Sequence, residues 1–575
     1  MKITHIKISN YRNLDGIEIF FHSGINFIIG ENNLGKSNLL KLLNIIFRKN
    51  RFSENDFYDL DKPIQVDLTL NLEEIEKGLF DDFFDPKNSA DLNVEARQEN
   101  IDKNLEFKHK ESPSFIQSSS LKSVNYIEYD SLRNPASELK FDQSKGAGKF
   151  LNHIIDKYLQ NHQAKDLDFI ERNKLIGMLS FITENLQKIK PFKDFSIEAI
   201  LEDNQDNLLA KLIILANDKR QRLENLSYGV QFLTLIPLSL LEKLLYLSGR
   251  PSFERSIIEN ESTSERAIPI LIGIDEPEIH LHPYAQRALV KYLNRVINNN
   301  DEGFSELLSS LFSIDRLLGQ ILIVSHSPNI LLDNYKQIIR FYLNKSDSQL
   351  TVKSGCNINL EEKTEKQLLR NLPYIKEAFF SKTVILVEGD SELGAFPVFA
   401  ERMQVDLDEL GISIIAAGGS ESVVPLMELS NQFGISSVGI IDSDKKSLYE
   451  ARNIDNLFFT QGQDFEEDLY ESFEFRGYIK YMELEDANKA KSIIGKARNI
   501  GIPLEPKSPI HPQLESIPEE KIRTLKAEAK DDFVKKLRNK KTIINGRELG
   551  QHVSSIPQVY QDVINKAVEL SSHVQ

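Results

Sequence analysis

Short apolar runs separated by stretches of helical spacing form the dominant pattern of the chain. Several uninterrupted runs consist mainly of β-branched residues and leucine, as expected of strands that are buried on both faces. They lie at residues 24–29, 270–274, 321–324, 384–387, 412–416 and 436–441. Helical spacing fills residues 392–403 and 421–433, between the last three runs. This alternation predicts parallel sheets with right-handed crossovers, and therefore an α/β fold.

The rest of the first half has weaker patterns. Residues 2–9, 16–21 and 64–72 are predicted strands, whereas the polar and charged residues 82–113 are predicted to be rich in loops. Between about residues 148 and 192 the period becomes helical, which indicates a helical insertion. Its apolar stripe faces either a partner helix or another subunit. The stripe consists of Leu175, Ile176, Leu179, Ile182, Leu186 and Ile189.

Length and composition indicate a globular protein with more than one domain. A chain of 575 residues exceeds what one hydrophobic core usually serves, and 41% of its residues are hydrophobic. The one cysteine, Cys356, excludes an intrachain disulfide and fits a reducing cytoplasmic compartment. The amino terminus lacks the apolar core of a signal peptide. The apolar segment 232–247 contains Pro237 and two charged residues, so we expect a buried helix and no membrane span.

The charge balance is acidic, with two local exceptions. A formal net charge of −16 argues against a protein that coats nucleic acid non-specifically. Each basic group is either a solvated helix face or a surface that contacts phosphates. One group contains Lys489, Lys491, Lys496 and Arg498, and the other contains Lys535, Lys536, Arg538, Lys540, Lys541 and Arg547.

A phosphate-binding loop follows the first buried strand. Residues 30–37, Gly-Glu-Asn-Asn-Leu-Gly-Lys-Ser, match the P-loop pattern in full, and an apolar helix is predicted at 38–47. The glycines let backbone N–H groups surround phosphates at the helix N-terminus. The lysine would reach the β and γ phosphates of ATP, and the serine would ligate Mg²⁺. The predicted nucleotide-binding residues are Gly30, Asn33, Gly35, Lys36 and Ser37.

Three further segments carry polar residues at strand or helix ends. The strand at 270–274 ends in Asp275 and Glu276, which could hold Mg²⁺ and position an attacking water. The strand at 321–324 precedes His326, a residue that alone would more often be structural. Ser227 and Gly229 open a long predicted helix, where such residues alone are most often a helix cap.

Together and in this order, the four segments resemble the ATPase head of the ABC superfamily. The resemblance covers roughly the first 340 residues and implies ATP bound between two subunits. It implies that Asp275 holds Mg²⁺, that Glu276 polarises the attacking water and that His326 senses the γ phosphate. Ser227 and Gly229 would cap the nucleotide of the partner, although Tyr228 departs from the usual Ser-Gly-Gly signature.

Several alternatives for the first half are disfavoured. His280 and His282 resemble a zinc pair, but they have no cysteines or spaced carboxylates nearby, so a loop that shapes a dimer contact is preferred. No heptad repeat separates the P-loop from the signature, which excludes the long coiled-coil arm of chromosome-structuring ATPases. No membrane spans accompany the head, which excludes a transporter. The ATPase is therefore expected to regulate the second half of the chain.

Acidic residues follow two buried strands of the second half. Glu388 follows the strand at 384–387, and Asp442 and Asp444 follow the strand at 436–441. Parallel strands present their carboxyl ends at one edge of a sheet, so these carboxylates are expected to repel one another unless a cation lies among them. Mg²⁺ is the divalent ion that prefers such oxygen ligands, and Mn²⁺ is an alternative. A further acidic segment, Asp464 to Asp468, is predicted at a helix start.

The spacing of these acidic residues resembles the Toprim domain of topoisomerases, primases and several nucleases. The resemblance implies two-metal phosphodiester hydrolysis, in which Glu388, Asp442 and Asp444 anchor one ion. Glu392 and Glu466 would help to bind a second ion, although Glu467 or Asp468 could take the place of Glu466. Lys541, or its neighbour Lys540, would stabilise the pentavalent transition state.

An ABC-type head followed by a Toprim domain resembles the OLD (overcoming lysogenisation defect) nucleases, which include the Gabija nuclease and retron-associated effectors. The expected domains are an ATPase domain at 1–345, a connecting segment at 346–380 and a Toprim nuclease domain at 381–575. The resemblance implies metal-dependent DNA nicking or cleavage, homo-dimers or larger homo-oligomers formed through the heads, and a role in phage defence. A co-encoded helicase or reverse transcriptase is a possible partner.

An ATP-driven DNA clamp whose Toprim domain binds metal or DNA without cutting is the alternative. It predicts DNA-stimulated ATP turnover without strand breaks. A topoisomerase or primase is less favoured, because the chain lacks a dedicated domain for a nucleophilic tyrosine and the zinc-binding and polymerising elements of primases.

Overall fold

The chain divides into two compact units in the computed structural model. The first comprises Met1–Asn344 and Gln349–Asn359, and the second comprises Lys345–Ser348 and Leu360–Gln575. The structure describes residues 1–572 apart from 81–82, 84–86, 113, 131–149, 152, 155–156, 159–160, 162–171, 191–195, 202–212, 261–262, 280, 345–346, 361–364, 366–374 and 450–451.

Strands and helices alternate through the first unit. Its strands are β1 Lys2–Ser9, β2 Glu18–Phe20, β3 Ile25–Gly30, β4 Ile64–Asn71, β5 Asp91–Gln98, β6 Glu106–His109, β7 Asn125–Tyr129, β8 Ile197–Leu201, β9 Ile213–Asn217, β10 Ile258–Glu259, β11 Arg266–Asp275, β12 Arg316–Val324, β13 Ile338–Leu343 and β14 Leu350–Ser354. Its helices are α1 Lys36–Asn44, α2 Ser118–Lys122, α3 Arg172–Leu186, α4 Tyr228–Ser248, α5 Pro251–Ser256, α6 Pro283–Ile297 and α7 Glu302–Phe312.

A largely parallel sheet lies at the centre of the first unit. Strands β11, β12, β3 and β13 are neighbours in that order and pair in parallel, and β7 also pairs in parallel with β11. Every residue of β3 is buried, including the polar Asn26, as expected of a strand that is covered on both faces. The carboxyl ends of β3, β11 and β12 therefore meet at one edge, where the P-loop, Asp275 and His326 follow.

A second sheet of the first unit is antiparallel, with the order β2-β1-β4-β5-β6. The prediction that residues 82–113 are rich in loops was wrong, because β5 and β6 form within that range. In β5, Leu92, Val94 and Ala96 are buried and alternate with polar residues on the other face. Charged residues on the solvent face make the composition of this segment polar. Composition alone therefore did not reveal the alternation.

The P-loop helix begins earlier and ends differently than its sequence predicts. A helix was predicted at 38–47, whereas α1 begins at Lys36 and continues from Ile45 to Lys49 as a π-helical turn. Asn50 ends the turn in the left-handed conformation, with φ of 64°. The wider turn keeps Ile45, Ile46 and Phe47 buried, in agreement with the predicted apolar face.

The connecting and inserted segments are described only in part. Strand β14 lies within the predicted connection 346–380 and pairs antiparallel with β13, which places it in the sheet of the first unit. Within the predicted insertion, Ile182 and Leu186 of α3 are buried and Ile176 is half-exposed. A turn that the sequence indicates at Asn134 and Pro135 lies outside the described residues.

The most apolar helix packs inside the first unit. Residues Gly229–Ser248 of α4 are long and apolar enough to cross a membrane by length and composition, but 71% of that stretch is buried in the structure. Burial of this kind agrees with the core helix that the sequence predicts, since the apolar surface is already covered by protein.

The second unit consists of a small parallel sheet and many helices. Its strands are β15 Thr383–Val387, β16 Ile412–Ala416, β17 Ser436–Ile441 and β18 Leu457–Phe459. Its helices are α8 Asp390–Arg402, α9 Ser420–Gln432, α10 Lys446–Tyr449, α11 Phe465–Ser472, α12 Phe475–Glu485, α13 Ala487–Ala490, α14 Ile494–Asn499, α15 Ile510–Glu515, α16 Glu519–Arg538, α17 Ile543–His552 and α18 Gln558–Ser572. The sheet order is β16-β15-β17-β18, and all pairs are parallel, as the sequence predicts.

Two glycines allow α8 and α17 to pack with their backbones in close contact. A Cβ atom on Gly394 would lie 2.0 Å from the carbonyl oxygen of Ile543, and one on Gly546 would lie 1.9 Å from that of Ser391. Neither position has room for a side chain, so only glycine permits this approach. The contact holds the start of α17 against the helix that follows β15.

Replacing Gly546 with alanine should therefore destabilise the second unit. We expect Gly546→Ala to cost about 1–3 kcal/mol, because the added methyl group overlaps the backbone of α8. Gly495→Ala is the matched control, since no atom lies within 4 Å of the position of its added Cβ. Urea unfolding should show a lower midpoint for Gly546→Ala and an unchanged or higher midpoint for Gly495→Ala. Equal midpoints would contradict the packing argument.

Candidate active sites

The P-loop of the first unit has the backbone conformation that phosphate binding requires. Gly30, Asn33 and Gly35 have φ values of 138°, 64° and 90°, in the left-handed region that favours glycine. Packing adds a second constraint, because a Cβ on Gly30 would lie 2.1 Å from the carbonyl oxygen of Phe341. The loop thus turns sharply from β3 into α1, so that the first N–H groups of the helix face its concave side.

Lys36 lies folded against this loop. Its Nζ donates to the carbonyl oxygens of Gly30 and Glu31, at 2.9 and 2.5 Å. Burial lowers the pKa of Lys36 to about 8, although Glu276 and Asp275 oppose that shift. Phosphate oxygens could replace the two carbonyl contacts and favour the charged ammonium.

Ser37 and Asp275 meet directly. The Ser37 Oγ donates to the Asp275 Oδ1 at 3.0 Å, which joins the start of α1 to the end of β11. Burial raises the pKa of Asp275 to about 6, and the bond from Ser37 partly offsets that shift. The structure therefore brings together the two side chains predicted to ligate Mg²⁺ beside the nucleotide.

Glu276 and His326 also lie side by side. Glu276 has φ of 48°, and its N–H donates to the carbonyl oxygen of Val324 at 2.9 Å, which turns the chain at the end of β11. The Oε1 of Glu276 lies 3.4 Å from the Nε2 of His326. Burial and the nearby charge of Lys36 lower the pKa of His326, so the imidazole favours its neutral form.

Glu278 joins this site although its sequence position did not identify it. Its Oε1 accepts hydrogen bonds from the backbone N–H of His326 at 2.6 Å and from the Ser325 Oγ at 2.9 Å. Burial raises the pKa of Glu278. An acidic residue two positions after Glu276 was the local signal in the sequence. The spacing alone did not show that its carboxylate reaches Ser325 and His326.

Arg12 is a second residue that sequence reasoning missed. Its Nη1 donates to the Asn38 Oδ1 at 2.7 Å, and its Nε donates to the Asp56 Oδ1 at 2.9 Å. Arg12 has φ of 43°, in the turn between β1 and β2. The guanidinium thus lies beside the first turn of α1 and links it to the antiparallel sheet. Only the fold brings this distant turn to the P-loop.

Ser227 and Gly229, the predicted signature residues, make no described hydrogen bond to the P-loop of the same chain. Ser227 is exposed and lies at the N-cap of α4, without a side-chain capping bond. Gln231 donates to the carbonyl oxygen of Leu226 at 2.9 Å, which fixes the turn. Across the described part of the first unit, no hydrogen bond joins Ser227 or Gly229 to residues 30–37. The proposed capping of a partner's nucleotide is an untested prediction.

The carboxylates of the second unit gather at the edge of its parallel sheet. Adjacent strands β15 and β17 end together, with Leu386 paired to Gly439 in the register. The Glu388 Oε1 accepts a hydrogen bond from the backbone N–H of Asp442 at 2.7 Å. The Asp442 Oδ1 in turn accepts from the N–H of Phe465 at 3.2 Å, which draws the start of α11 to the same edge.

Mutual repulsion in this group is visible in the pKa values. Burial and the charges of Glu388 and Glu392 together raise the pKa of Asp442 to about 8. Burial and the charge of Glu466 together raise the pKa of Glu392 to about 7. The pKa of Glu388 is raised by burial and by Asp444. We call these five carboxylates, Glu388, Glu392, Asp442, Asp444 and Glu466, the acidic cluster.

Lys541 lies within reach of the acidic cluster. Its Nζ lies 3.0 Å from the Glu466 Oε2, and Glu466 is only 2% exposed. Burial alone would lower the pKa of Lys541, but Glu466, Asp442 and Glu392 outweigh that effect and raise it. The Oε2 of Glu466 is thus paired with Lys541, whereas its Oε1 is buried and accepts no hydrogen bond from the described residues.

The alternative residues have other partners. Glu467 pairs with Lys530 at 2.5 Å, and the Asp468 Oδ2 accepts from the Tyr560 hydroxyl at 2.9 Å. The carbonyl oxygen of Lys540 accepts from the Asn545 side chain at 3.0 Å. Asp444 lies at the rim, where its carboxylate pairs with Lys445 at 3.0 Å. Among these alternatives, Glu466 and Lys541 are the two residues that pair with each other.

The donor set suits a hard divalent cation. All candidate ligands are carboxylate oxygens, and burial together with neighbouring carboxylates raises the pKa of Glu388, Glu392 and Asp442. Among the described residues, no three acidic, histidine or cysteine side chains are already arranged around a common metal position. Binding would therefore require the carboxylates to rotate towards the ion. His280, one of the two histidines of the zinc alternative, lies outside the described residues.

Two contacts bring Lys541 to the sheet edge. Arg538, at the end of α16, donates to the Asp464 Oδ2 at 2.5 Å, and Asp464 is the N-cap of α11. Beyond Lys541, the close contact of α17 with α8 at Gly394 and Gly546 fixes the chain. Gly394 and Gly546 are more than a hundred residues apart in the sequence. Only the fold reveals that each glycine lies against the helix that carries the other.

Sequence comparisons agree with this architecture. The AAA ATPase domain family matches residues 1–170 and 86–331, and the Overcoming lysogenization defect protein-like TOPRIM domain matches residues 379–444. An Old nuclease of Escherichia phage P2 is 23% identical over 81% of this chain and 79% of its own length. An Endonuclease GajA of Bacillus cereus (strain VD045) is 24% identical over 81% of this chain and 80% of its own.

Among solved structures, an Smc head bound to a winged-helix domain of ScpA covers 64% of this chain and 100% of its own, with a TM-score of 0.38 and 13% identity. That likeness is too distant to support any statement about function. The P-loop site, the parallel sheet with its acidic edge and the two family matches agree with one another. The chain therefore belongs to the AAA ATPase domain family over residues 1–331, and it carries an Overcoming lysogenization defect protein-like TOPRIM domain at residues 379–444.

Proposed function

We propose that this protein is a nucleotide-regulated, divalent-metal-dependent DNA endonuclease that acts in the cytoplasm in defence against phage. The observation that carries this proposal is the acidic cluster with Lys541 beside it, in a chain that also has a complete nucleotide site. The names of its relatives, Old nuclease and Endonuclease GajA, support the same reaction class.

The acidic cluster would hold the metal ions of a phosphodiesterase. Glu388, Asp442 and Asp444 would anchor one Mg²⁺ or Mn²⁺, and Glu392 and Glu466 would contribute to a second. Such ions stabilise charge on a phosphodiester and lower the pKa of water that acts as nucleophile. Lys541 supplies a fixed positive charge beside Glu466, where charge develops on a pentavalent phosphorus.

The nucleotide site would bind ATP and hydrolyse it through the neighbouring side chains. Lys36 would exchange its carbonyl contacts for phosphate oxygens, and Ser37 with Asp275 would hold Mg²⁺. Glu276 would orient the attacking water, and neutral His326 would hydrogen-bond to the γ phosphate. Glu278 would position His326 through its backbone N–H.

Nucleotide binding would regulate the nuclease through the pairing of two heads. Ser227 and Gly229 make no hydrogen bond to residues 30–37 among the described residues, and a second chain could supply them to this P-loop in a homo-dimer or a larger homo-oligomer. ATP bound between heads would then select one arrangement of two linked domains and so restrain or license cleavage. A co-encoded helicase or reverse transcriptase is a further proposed partner.

Removing Glu388 provides the test of the endonuclease proposal. We expect Glu388→Gln to lower the nicking rate of supercoiled plasmid with Mg²⁺ or Mn²⁺ by at least about 100-fold, because transition-state stabilisation at the phosphate is lost. Glu409→Gln is the matched control, since Glu409 is exposed and outside the acidic cluster. Undiminished nicking by Glu388→Gln would contradict the assignment. DNA-stimulated ATP turnover without strand breaks in the wild type would favour the clamp.

Neutralising Asp442 should stabilise the metal-free protein while it abolishes cleavage. The pKa of Asp442 is raised to about 8, above its unfolded value, so its ionisation destabilises the fold increasingly from about pH 4 up to pH 8. We expect Asp442→Asn to raise the Tm of the EDTA-treated protein at pH 9 by a few degrees, on the order of 2–4 °C, and by less at pH 5. A fall in Tm at pH 9 would contradict repulsion within the acidic cluster.

Glu278 should affect ATP hydrolysis more than ATP binding. We expect Glu278→Ala to lower kcat for ATP about 10-fold or more, because the His326 loop loses both hydrogen bonds to the carboxylate. Glu278→Gln keeps an accepting oxygen and should restore most of the rate. The Kd for ATP should change little in either variant. An equal loss in both, or a loss confined to the Kd, would rule out a positioning role.

A further inference from the structure

A group of lysines in the second unit lies outside the acidic cluster and has no role in the chemistry described above. It combines residues from two segments that are about forty positions apart in sequence. We define the lysine cluster as Lys489, Lys496, Lys535 and Lys536. The first two lie around α13 and α14, and the last two lie in the final turn of α16.

Direct contacts hold these segments together. The Lys536 Nζ donates to the Ser492 Oγ at 2.8 Å and lies 3.5 Å from the carbonyl oxygen of Lys489. The Lys496 Nζ donates to the carbonyl oxygen of Glu528 at 2.6 Å and pairs with Asp532 at 2.8 Å. The ammonium groups of Lys496 and Lys536 are therefore placed by backbone and hydroxyl contacts as well as by a carboxylate.

The arrangement concentrates positive charge. Burial lowers the pKa of Lys536, Asp532 opposes that shift, and Lys489 and Lys496 add to it by repulsion. Asp532 has its own pKa lowered by Lys496, Lys536 and Lys535. Asp532 thus faces three of the four lysines, in a protein whose net charge is −16. A polyanion bound at this surface would offset the excess of positive charge.

The lysine cluster continues towards the acidic cluster along the chain. Two residues after Lys536, Arg538 binds the Asp464 side chain at the N-cap of α11. Three residues later, Lys541 pairs with Glu466. Positive groups are thus spread from the α14 and α16 surface to the edge of the acidic cluster. Lys536, Arg538 and Lys541 each have a different contact partner, so a single phosphate would not replace all of these contacts, whereas a nucleic acid backbone carries phosphates at regular intervals.

We propose that the lysine cluster binds the phosphate backbone of DNA and guides the strand to the acidic cluster. This inference rests on the proposed function for the identity of the ligand, but it concerns binding rather than cleavage. Contacts of this kind position a duplex without reading its sequence, because they reach only phosphates. The cluster would therefore contribute affinity and salt dependence and no base specificity.

The test compares two variants that remove equal charge, both in the Glu388→Gln background. The test variant carries Lys489→Gln and Lys535→Gln. The control carries Lys521→Gln and Arg523→Gln, which lie exposed near the start of the same helix α16. Fluorescence anisotropy with a labelled DNA duplex gives the Kd over a series of salt concentrations. Thermal unfolding of both proteins verifies that they are folded.

We expect the Kd of the test variant to rise about 10-fold at moderate salt, and the slope of log K against log salt to become shallower by about 2, since two phosphate contacts are lost. The control pair should bind within about 2-fold of the parent. Equal affinities for the two variants would overturn the proposal. Unchanged DNA affinity together with lost binding of a polyglutamate peptide would also overturn it and assign the surface to an acidic protein.

The binding result is separate from the nuclease result. If the wild type fails to cut DNA but the test variant binds it less tightly, the proposed function fails and the lysine cluster stands. If the wild type cuts DNA and the test variant binds it as well as the control does, the lysine cluster fails and the proposed function stands.

Discussion

Repulsion between buried carboxylates is the constraint on which the second unit depends. Parallel strands β15 and β17 end at one edge, and the hydrogen bond from Asp442 to Glu388 fixes their acidic residues next to each other. Burial and mutual repulsion raise the pKa of Asp442 to about 8, so the metal-free fold tolerates the group at a cost in stability. Lys541 offsets part of that cost, and divalent cations would offset more.

The first unit also gathers carboxylates at the edge of its parallel sheet, but there a lysine of the same unit lies among them. Lys36 lies among Glu276, Asp275 and Glu31, while Ser37 donates to Asp275. Glu278 ties the loop after β12 to the loop after β11, so that Glu276 and His326 face each other. A phosphate group entering this site would meet positive charge and N–H donors already in place. Both units therefore place their chemistry where parallel strands end.

Local sequence patterns predicted the elements that carry the chemistry and missed the contacts that join them. The P-loop, Asp275, Glu388 and Asp442 each follow a buried apolar strand, so periodicity alone located them and also predicted the parallel order of β15, β16 and β17. Strand β5 was missed because its solvent face is charged, and the π-helical turn after α1 continues the apolar spacing of the helix, so its sequence did not distinguish it from a further α-helical turn. Arg12, Glu278 and the α8 to α17 contact depend on residues distant in sequence, which no local pattern reports.

The central claim is that nucleotide at the P-loop site controls cleavage at the acidic cluster. The most direct measurement is the initial rate of nicking of supercoiled plasmid by the wild type and by Glu276→Gln, each with and without ATP and with Mg²⁺ present. The account predicts that ATP changes the rate and that Glu276→Gln, which binds ATP but hydrolyses it slowly, prolongs that change. Identical nicking rates in all four reactions would contradict it.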